Sequence, residues 1–478
     1  MAKEFIIAIE LGSSKIIGIA GKKNSDGSIS ILAVAQEDAS ACIRKGVIYN
    51  IEKTVLCLSN IIKRLETSLK TKIAHVYVGV GGRSIRSIKN VIAKDLPVNT
   101  IVDQNMVNEL MDANRSMSYP EQEILDAATQ EYKVDNQFQL DPVGIQCNRL
   151  EGNFLNILWR KVYYRNLNLC FNKANIAIAE MYLAPLALAD SILTETEKRS
   201  GCMMVDIGAD TTTVSVYYKN ILRHLAVIPL GSSNITKDIS SLQMDESEAE
   251  KMKLKYASAY TENNDIDNSL MLSIDAERQI ESRKFIEIVE ARMEEIIENA
   301  WFQVPGEYVD KLLGGIILTG GGSMMPNIHK AFRTHTHIEK IRIARFVNQT
   351  INGKQPEITA HDGRMNTILG LLEKGDMNCA GGDITSDLFS GEEKTNYTTA
   401  DLHKNPRSLN ETSGRGVVQT EAEKQKAEED ARKKKEQAEE EARQKEEEEK
   451  RQKKENSLFN RSMRSMKHYF KKIISEDE

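Results

Sequence analysis

The chain has 478 residues, 40% of them hydrophobic, with a formal net charge of −6 and a mean hydropathy of −0.42, which allows several domains with sizeable cores and argues against nucleic acid as a main partner, since no domain-wide basic field exists. No apolar run reaches the ~18 residues of a membrane-spanning helix, and the brief apolar start, interrupted by Glu10, is not a signal peptide. Six scattered cysteines without a CxxC pair (Cys42, Cys57, Cys147, Cys170, Cys202 and Cys379) read as reduced thiols, not as a metal or disulfide framework.

Ile6, Ile7 and Ile9 form a β-branched run of strand character. It stops at Gly12-Ser13-Ser14 and resumes at Ile16, Ile17 and Ile19. Such a strand–turn–strand, with Lys15 at the turn, is a phosphate-gripping hairpin: its N–H groups and hydroxyls face one concavity and the ammonium offsets negative charge. Ile29, Ile31 and Val34 mark a third strand. Ile43-Arg44-Lys45-Gly46-Val47 leads into an amphipathic helix carrying Val55, Leu58, Ile61, Ile62, Leu65 and Leu69, and HVYVGVGG (75–82) is a strand closed by glycines. Residues 84–165 read as an inserted α+β unit. It holds a strand over Ser84–Pro97, a helix with Val107, Leu110, Met111 and Ala113, strands around Tyr132–Val134 and Asn153–Leu158, and turns at Asp135-Asn136, Asp141-Pro142 and Gly144.

Residues 166–198 supply a strand at Ile176–Ile178 and a helix over 183–197, where Ala184, Ala187 and Ala189 permit close packing. A second hairpin follows over 204–217: an apolar strand into Asp206, a Gly208 turn, Thr211-Thr212-Thr213, then Val214 and Val216. Two such hairpins imply an internal duplication. Val227–Leu230 is a strand that ends at Gly231-Ser232-Ser233. Residues 235–305 are helix-rich, with helices over Glu246–Tyr256 and from about Glu277 to Phe302 around a polar loop. GIILTGGGS (315–323) is a buried-type strand ending in Gly320-Gly321-Gly322, whose missing Cβ atoms let backbone lie against a ligand. Strands near Ile341–Phe346 and a helix within 363–375, eased by Gly363, Asn366 and Gly370, complete this part.

The composition then changes. Residues 377–420 read as a disordered linker. Residues 421–455 carry Glu–Lys and Glu–Arg pairs at helical spacing, such as Glu429–Lys433 and Glu447–Arg451, each worth ~0.2–0.5 kcal/mol. No Leu, Ile or Val fills a heptad seam, so a solvated, fairly stiff single helix is expected there and not a coiled coil. In 457–474 a helical wheel gathers Leu458, Phe459, Met463, Met466, Tyr469, Phe470, Ile473 and Ile474 on one half. Arg461, Arg464, Lys467, His468, Lys471 and Lys472 share the other. That amphipathic helix suits the surface of an anionic membrane; a partner groove is the alternative.

Two phosphate hairpins followed by a glycine-walled loop resemble the nucleotide-binding core of the actin/Hsp70/sugar-kinase superfamily. With the HVYVGVGG strand and an insertion containing VD…DPVG…RLEG, residues 1 to about 376 are similar to the FtsA family of bacterial cell-division proteins. The resemblance implies an α/β fold, an actin-like (ribonuclease H-like) duplicated core. Its first half is 1–83 with 166–198 and about 355–376, and its second is 199–234 with 306–354. It further implies an SHS2-like subdomain over 84–165 that contacts neighbouring subunits and later division proteins. A helical subdomain over 235–305 would receive the FtsZ C-terminal tail, and 457–474 would be the membrane-targeting helix.

The same resemblance implies ATP and Mg²⁺, with Glu10 and Asp206 holding the cation through water. The nucleotide would meet Gly12, Ser13, Ser14, Lys15, Gly208, Asp210, Thr211, Thr212, Gly231, Gly320, Gly321 and Gly322. Glu290, in Glu290-Ala291-Arg292, takes the nucleoside position, with a solvated Glu–Arg helix face as the alternative. Two departures stand out. Glu10 replaces the usual Asp, and Ala209-Asp210 replace consecutive glycines, setting a carboxylate against the β- and γ-phosphates. With no nucleophile-activating group at suitable spacing, nucleotide binding with slow or no hydrolysis is expected. The implied function is a self-assembling adaptor that ties FtsZ to the inner face of the cytoplasmic membrane at the septum. The alternatives are a sugar kinase or chaperone-type ATPase on the same core, and a filament or pilus adaptor of the MreB or PilM type.

Overall fold

The computed structural model describes residues 4–267, 269–275 and 277–383. The linker beyond 383, the charged run 421–455 and the amphipathic stretch 457–474 lie outside the described residues.

The chain opens with an antiparallel meander, β1 (Ile6–Leu11), β2 (Lys15–Lys23) and β3 (Ile29–Asp38). A small hairpin, β4 (Ile43–Arg44) with β5 (Val47–Ile48), leads to α1 (Ile51–Leu69). Asn50 caps α1 by accepting from the Lys53 N–H at 3.1 Å. Leu58, Ile61, Leu65 and Leu69 turn one face of α1 into the core. After β6 (Thr71–Ile73), β7 (Val76–Val80) pairs parallel to β1. β1 has neighbours on both edges and is covered on both faces, which is why its apolar run is continuous, whereas β3 alternates buried and exposed residues.

The insertion is built from β8 (Arg86–Ile101), α2 (Gln104–Arg115), β9 (Gln122–Val134), β10 (Gln137–Gln139) and β11 (Gln146–Arg160). It has its own small core around Leu110, Met111, Leu150 and Phe154. Buried Asn114 and Asn156 exchange side-chain amide bonds at 2.7 and 2.9 Å, so neither amide is left dry. Then α3 (Lys161–Lys173), which runs across the boundary expected at 165, buries Leu167, Cys170 and Phe171 in the core of the first half. β12 (Ile178–Leu183) begins at Ile178, later than the strand expected from Ile176. The helix expected over 183–197 is two helices, α4 (Ala184–Ile192) and α5 (Glu195–Ser200). The break has a local cause: Thr194 and Glu197 form a capping box that starts α5 afresh.

The second half repeats the pattern of the first. β13 (Cys202–Ile207), β14 (Thr212–Tyr218) and β15 (Ile221–Ile228) form a meander, followed by α6 (Ser232–Ser240) and α7 (Glu246–Tyr256). β16 (Met271–Ser273) and β17 (Gln279–Glu281) form a hairpin, so α8 (Ser282–Phe302) starts later than the Glu277 expected. β18 (Gly315–Thr319) then pairs parallel to β13, and α9 (Ile328–Thr336) leads to β19 (Ile341–Ile343) beside it. The chain returns through β20 (Ile351–Asn352), α10 (Pro356–Thr359) and α11 (Asn366–Lys374) to β21 (Ala380–Asp383).

Two main sheets result, in the order β12-β7-β1-β2-β3-β20 and β10-β9-β11-β8-β15-β14-β13-β18-β19. The second incorporates the insertion, whose root is held to β15 by the Ala226–Arg86 pairing and by Gln130, which donates to the Leu222 carbonyl at 2.9 Å. Residues 377–383, expected to begin the linker, belong to the body. β21 pairs with β6, Cys379 is fully buried, and its N–H donates to the Phe5 carbonyl at 2.8 Å. Among the described residues no helix is long and apolar enough to cross a membrane.

Candidate functional site

Each meander presents a tight hairpin turn with an acid two residues before its glycine. In the first, Glu10 precedes Gly12, whose N–H donates to the Lys15 carbonyl at 3.0 Å. In the second, Asp206 precedes Gly208, whose N–H donates to the Thr211 carbonyl at 2.8 Å. The pairings Glu10–Ile17 and Asp206–Thr213 give both acids the same place on their strands. Physical chemistry singles these two groups out. Burial, with repulsion from Asp206 added, pushes the Glu10 carboxyl up to about 8 against the opposing pull of Lys15. Burial alone pushes Asp206 up to about 6. Glu10 Oε2 is buried without a hydrogen-bond partner. Two half-buried acids, the first raised further by the second and carrying an orphan oxygen, suit a cation between them.

The glycine wall closes against the second acid. Gly320 has φ +81°, and a Cβ there would collide with Asp206 Oδ1. Gly363 packs on Gly320, and the Arg364 stem lies over Gly321, 3.3 Å from where a Cβ would sit. Arg364 pairs with Asp362, and burial together with the Arg364 charge lowers the Lys15 ammonium. These groups line a cavity of about 440 Å³ beside the first hairpin, with Ser14, Gln36, Asp38 and Glu357 among its walls. Gly231 is pressed on the Ala209 and Gly208 carbonyls, and the Ser232 and Ser233 N–H groups donate to those same carbonyls at 3.0 and 2.8 Å. Neighbouring contacts therefore run from Gly231 through the Gly208 turn, Asp206 and Gly320 to Gly321 and Arg364, and the charges of Arg364 and Glu10 act on Lys15.

Three expected residues sit differently. Thr212 is fully buried and its hydroxyl donates to the Leu230 carbonyl at 2.9 Å, so its side chain braces the hairpin. Asp210 accepts from the Lys45 N–H at 3.1 Å. Ser13 Oγ is taken by the Gly46 N–H at 2.8 Å. Glu290 lies on α8 with Oε1 buried and unpartnered, while nearby Arg292 is held by Asp238 at 2.5 and 3.0 Å and so is not offered to a ligand. Sequence reasoning missed Lys45, Asp362 and Arg364. Lys45-Gly46 was visible as a turn signal, but nothing in the spacing of Arg364 announced its place over the glycines. Leu458, Phe459, Arg461, Met463, Arg464, Met466, Lys467, Tyr469, Phe470, Lys471, Lys472, Ile473 and Ile474 lie outside the described residues.

A duplicated meander with an acid-bearing hairpin in each half, and a glycine wall after the second, defines an actin-like protein. The solved PilM–PilN type IV pilus biogenesis complex shares this fold with a TM-score of 0.53 at 14% identity, covering 77% of this chain and 97% of that one. The family model described as "Cell division protein FtsA" matches residues 203–363, and the model "SHS2 domain inserted in FTSA" matches 82–158. FtsA of Porphyromonas gingivalis is 31% identical over 412 residues, covering 82% of this chain and 84% of that protein. FtsA of Neisseria meningitidis is 30% identical over 333 residues, covering 68% and 80%. The chain belongs to the FtsA family of cell-division proteins.

Proposed function

We propose that this chain binds Mg²⁺-ATP between its two halves and acts as an adaptor, joining FtsZ to the inner face of the cytoplasmic membrane at the division septum. The observation that carries the nucleotide reading is the pair of half-buried acids, Glu10 and Asp206, each at the mouth of a hairpin turn, with Glu10 Oε2 buried and lacking a partner. The donor set is all oxygen, which suits a hard divalent cation. Mg²⁺ would be held by these two carboxylates and would supply neutralisation of the phosphate charge. Gly12, Ser14, Lys15, Gly208, Thr211 and Gly231 offer the surrounding backbone and side-chain contacts, and Gly320, Gly321 and Gly322 give the flat wall. Slow turnover at most is the reading.

The remaining parts of the adaptor follow the family. The helical subdomain, with Leu254, Leu270 and Met271 exposed, is the candidate seat of the FtsZ C-terminal tail. Exposed Val98, Ile101, Phe138 and Leu140 make the insertion the candidate contact to a neighbouring copy and to later division proteins. Residues 457–474 are the candidate anchor to anionic lipid.

The test is equilibrium binding of a fluorescent ATP analogue with Mg²⁺. Glu10→Gln and Asp206→Asn should each weaken binding by at least tenfold, about 1.4 kcal/mol. Wild-type protein that ignores Mg²⁺-ATP, or variants that bind it equally well, would overturn the nucleotide reading.

A further inference from the structure

The hairpin β4–β5 has a two-residue tip, Lys45-Gly46, with φ +51° and +69°. That is the φ pattern of a type I′ turn, the tightest way to join two strands. The tip is fixed on every side. The Lys45 carbonyl accepts from the Arg83 N–H at 2.9 Å, at the root of the insertion. The Gly46 N–H donates to Ser13 Oγ at 2.8 Å, on the first phosphate hairpin. The Lys45 N–H donates to Asp210 Oδ2 at 3.1 Å, on the second. Gly46 lies so close to Gly82 that a Cβ on it would strike the Gly82 backbone. Arg44, just before the tip, is stacked over Tyr49 at 4.2 Å. Two consecutive residues thus touch both phosphate hairpins and the insertion at once.

These bonds divide into two kinds. Those to Ser13 and Arg83, with the close approach to Gly82, stay on the first-half side of the cleft. The bond to Asp210 crosses it. Separating the two hairpins to admit or release a ligand leaves the tip seated on the first half and breaks the one bond to Asp210. We propose that Lys45-Gly46 is a clasp that closes the cleft, with Asp210 as its positioning residue on the second half and Arg83 as the point where the insertion is attached to it. The carboxylate that the sequence set against the phosphates is thereby held by an N–H of the opposite half. This inference rests on the nucleotide reading for its consequence, slower nucleotide release, but not for the clasp itself.

Hydrogen exchange on the full chain without nucleotide tests the clasp. In Asp210→Ala the amides of 43–48 should exchange about tenfold faster, the loss of one hydrogen bond to a charged acceptor, while β1 and β13 keep their protection. Asp210→Asn, which keeps an acceptor oxygen, should lose about threefold or less. Unchanged exchange at 43–48 in Asp210→Ala overturns the clasp. Stopped-flow release of a fluorescent ATP analogue tests the consequence: Asp210→Ala should release about tenfold faster and Asp210→Asn nearly as slowly as wild type. If both variants release more slowly, the carboxylate repels phosphate and the clasp is wrong. Faster exchange at 43–48, with no binding of Mg²⁺-ATP by wild type, keeps the clasp and overturns the nucleotide reading alone.

Discussion

Glu197 shows how one carboxylate ties separate parts of the chain. It closes the capping box of α5 and receives a fork from Arg342 on β19, with contacts of 2.8 and 3.0 Å. Arg342 also donates to the Ile192 carbonyl at 2.9 Å, at the end of α4. Burial alone would raise the Glu197 carboxyl, but the Arg342 bond, the Thr194 N–H and the Arg342 charge outweigh it and hold the group below its ordinary value. A depressed carboxyl stabilises the fold at pH above its unfolded pKa, and that contribution is lost as pH falls through the folded one. Glu197→Gln should therefore cost about 1–2 kcal/mol near neutrality, allowing for the solvent reaching Arg342. The gap between variant and wild type should shrink as pH falls below the ordinary value of 4.5 and through the lower folded one. Urea unfolding at several pH values reads this directly, and a gap that grows in acid would contradict it.

Two packing arrangements decide how the elements hold together. α4 and α11 cross so closely that a Cβ on Gly370 would lie 2.7 Å from the Ala187 carbonyl and 2.9 Å from Ser191 Oγ. Asp190 of α4 adds ion pairs at 2.6 Å to Lys198 and to Lys374 of α11. Gly370→Val should therefore lose about 1–3 kcal/mol through overpacking, despite the poor helix propensity of glycine. A higher melting temperature for that variant would refute the close crossing. In the insertion, the Asn114–Asn156 pair is buried, and Asn90 also donates to Asn114 Oδ1 at 2.8 Å. Asn114→Ala leaves the buried Asn156 Oδ1 without its donor, while Nδ2 keeps the Tyr119 hydroxyl at 3.3 Å, and should cost about 1–3 kcal/mol. Hydrogen exchange should localise that loss to β8, β9 and β11. A loss spread evenly over both halves would mean that the insertion does not open on its own.

Across the whole molecule, the last described strand, β21, pairs with β6, and Cys379 just before it donates to the Phe5 carbonyl ahead of β1. The chain that follows is the part most marked in composition, and a single amphipathic helix binds lipid only weakly and reversibly. Sedimentation with anionic liposomes should pellet the full chain and leave in solution a chain ending at Asn456. Pelleting of both, or of neither, would remove 457–474 from its place as the anchor. Self-assembly would multiply many weak anchors into firm attachment by avidity, so the pelleted fraction should rise steeply with protein concentration.

Much of the fold could be read directly from residue order because its signals are local. The apolar runs at Ile6–Ile9 and Met204–Val205, each followed by an acid and a glycine turn, marked both hairpins. Gly320-Gly321-Gly322 marked the wall, and Glu246–Tyr256 matched its helix end to end. A capping box at Thr194 and a hairpin at β16–β17 were also local, but they lay hidden inside apolar or polar runs that favoured a longer helix. The acid-bearing turns, the glycine wall and the apolar face of α1 were determined by the sequence alone, because spacing along the chain sets which side chains share a turn or a face. Only the tertiary structure decided that Asp210 reaches Lys45, that Arg364 covers Gly321, that Thr212 is structural and that residues 377–383 join the body. Those outcomes depend on hydrogen bonds and close approaches between segments far apart in sequence, whose partners no local pattern specifies.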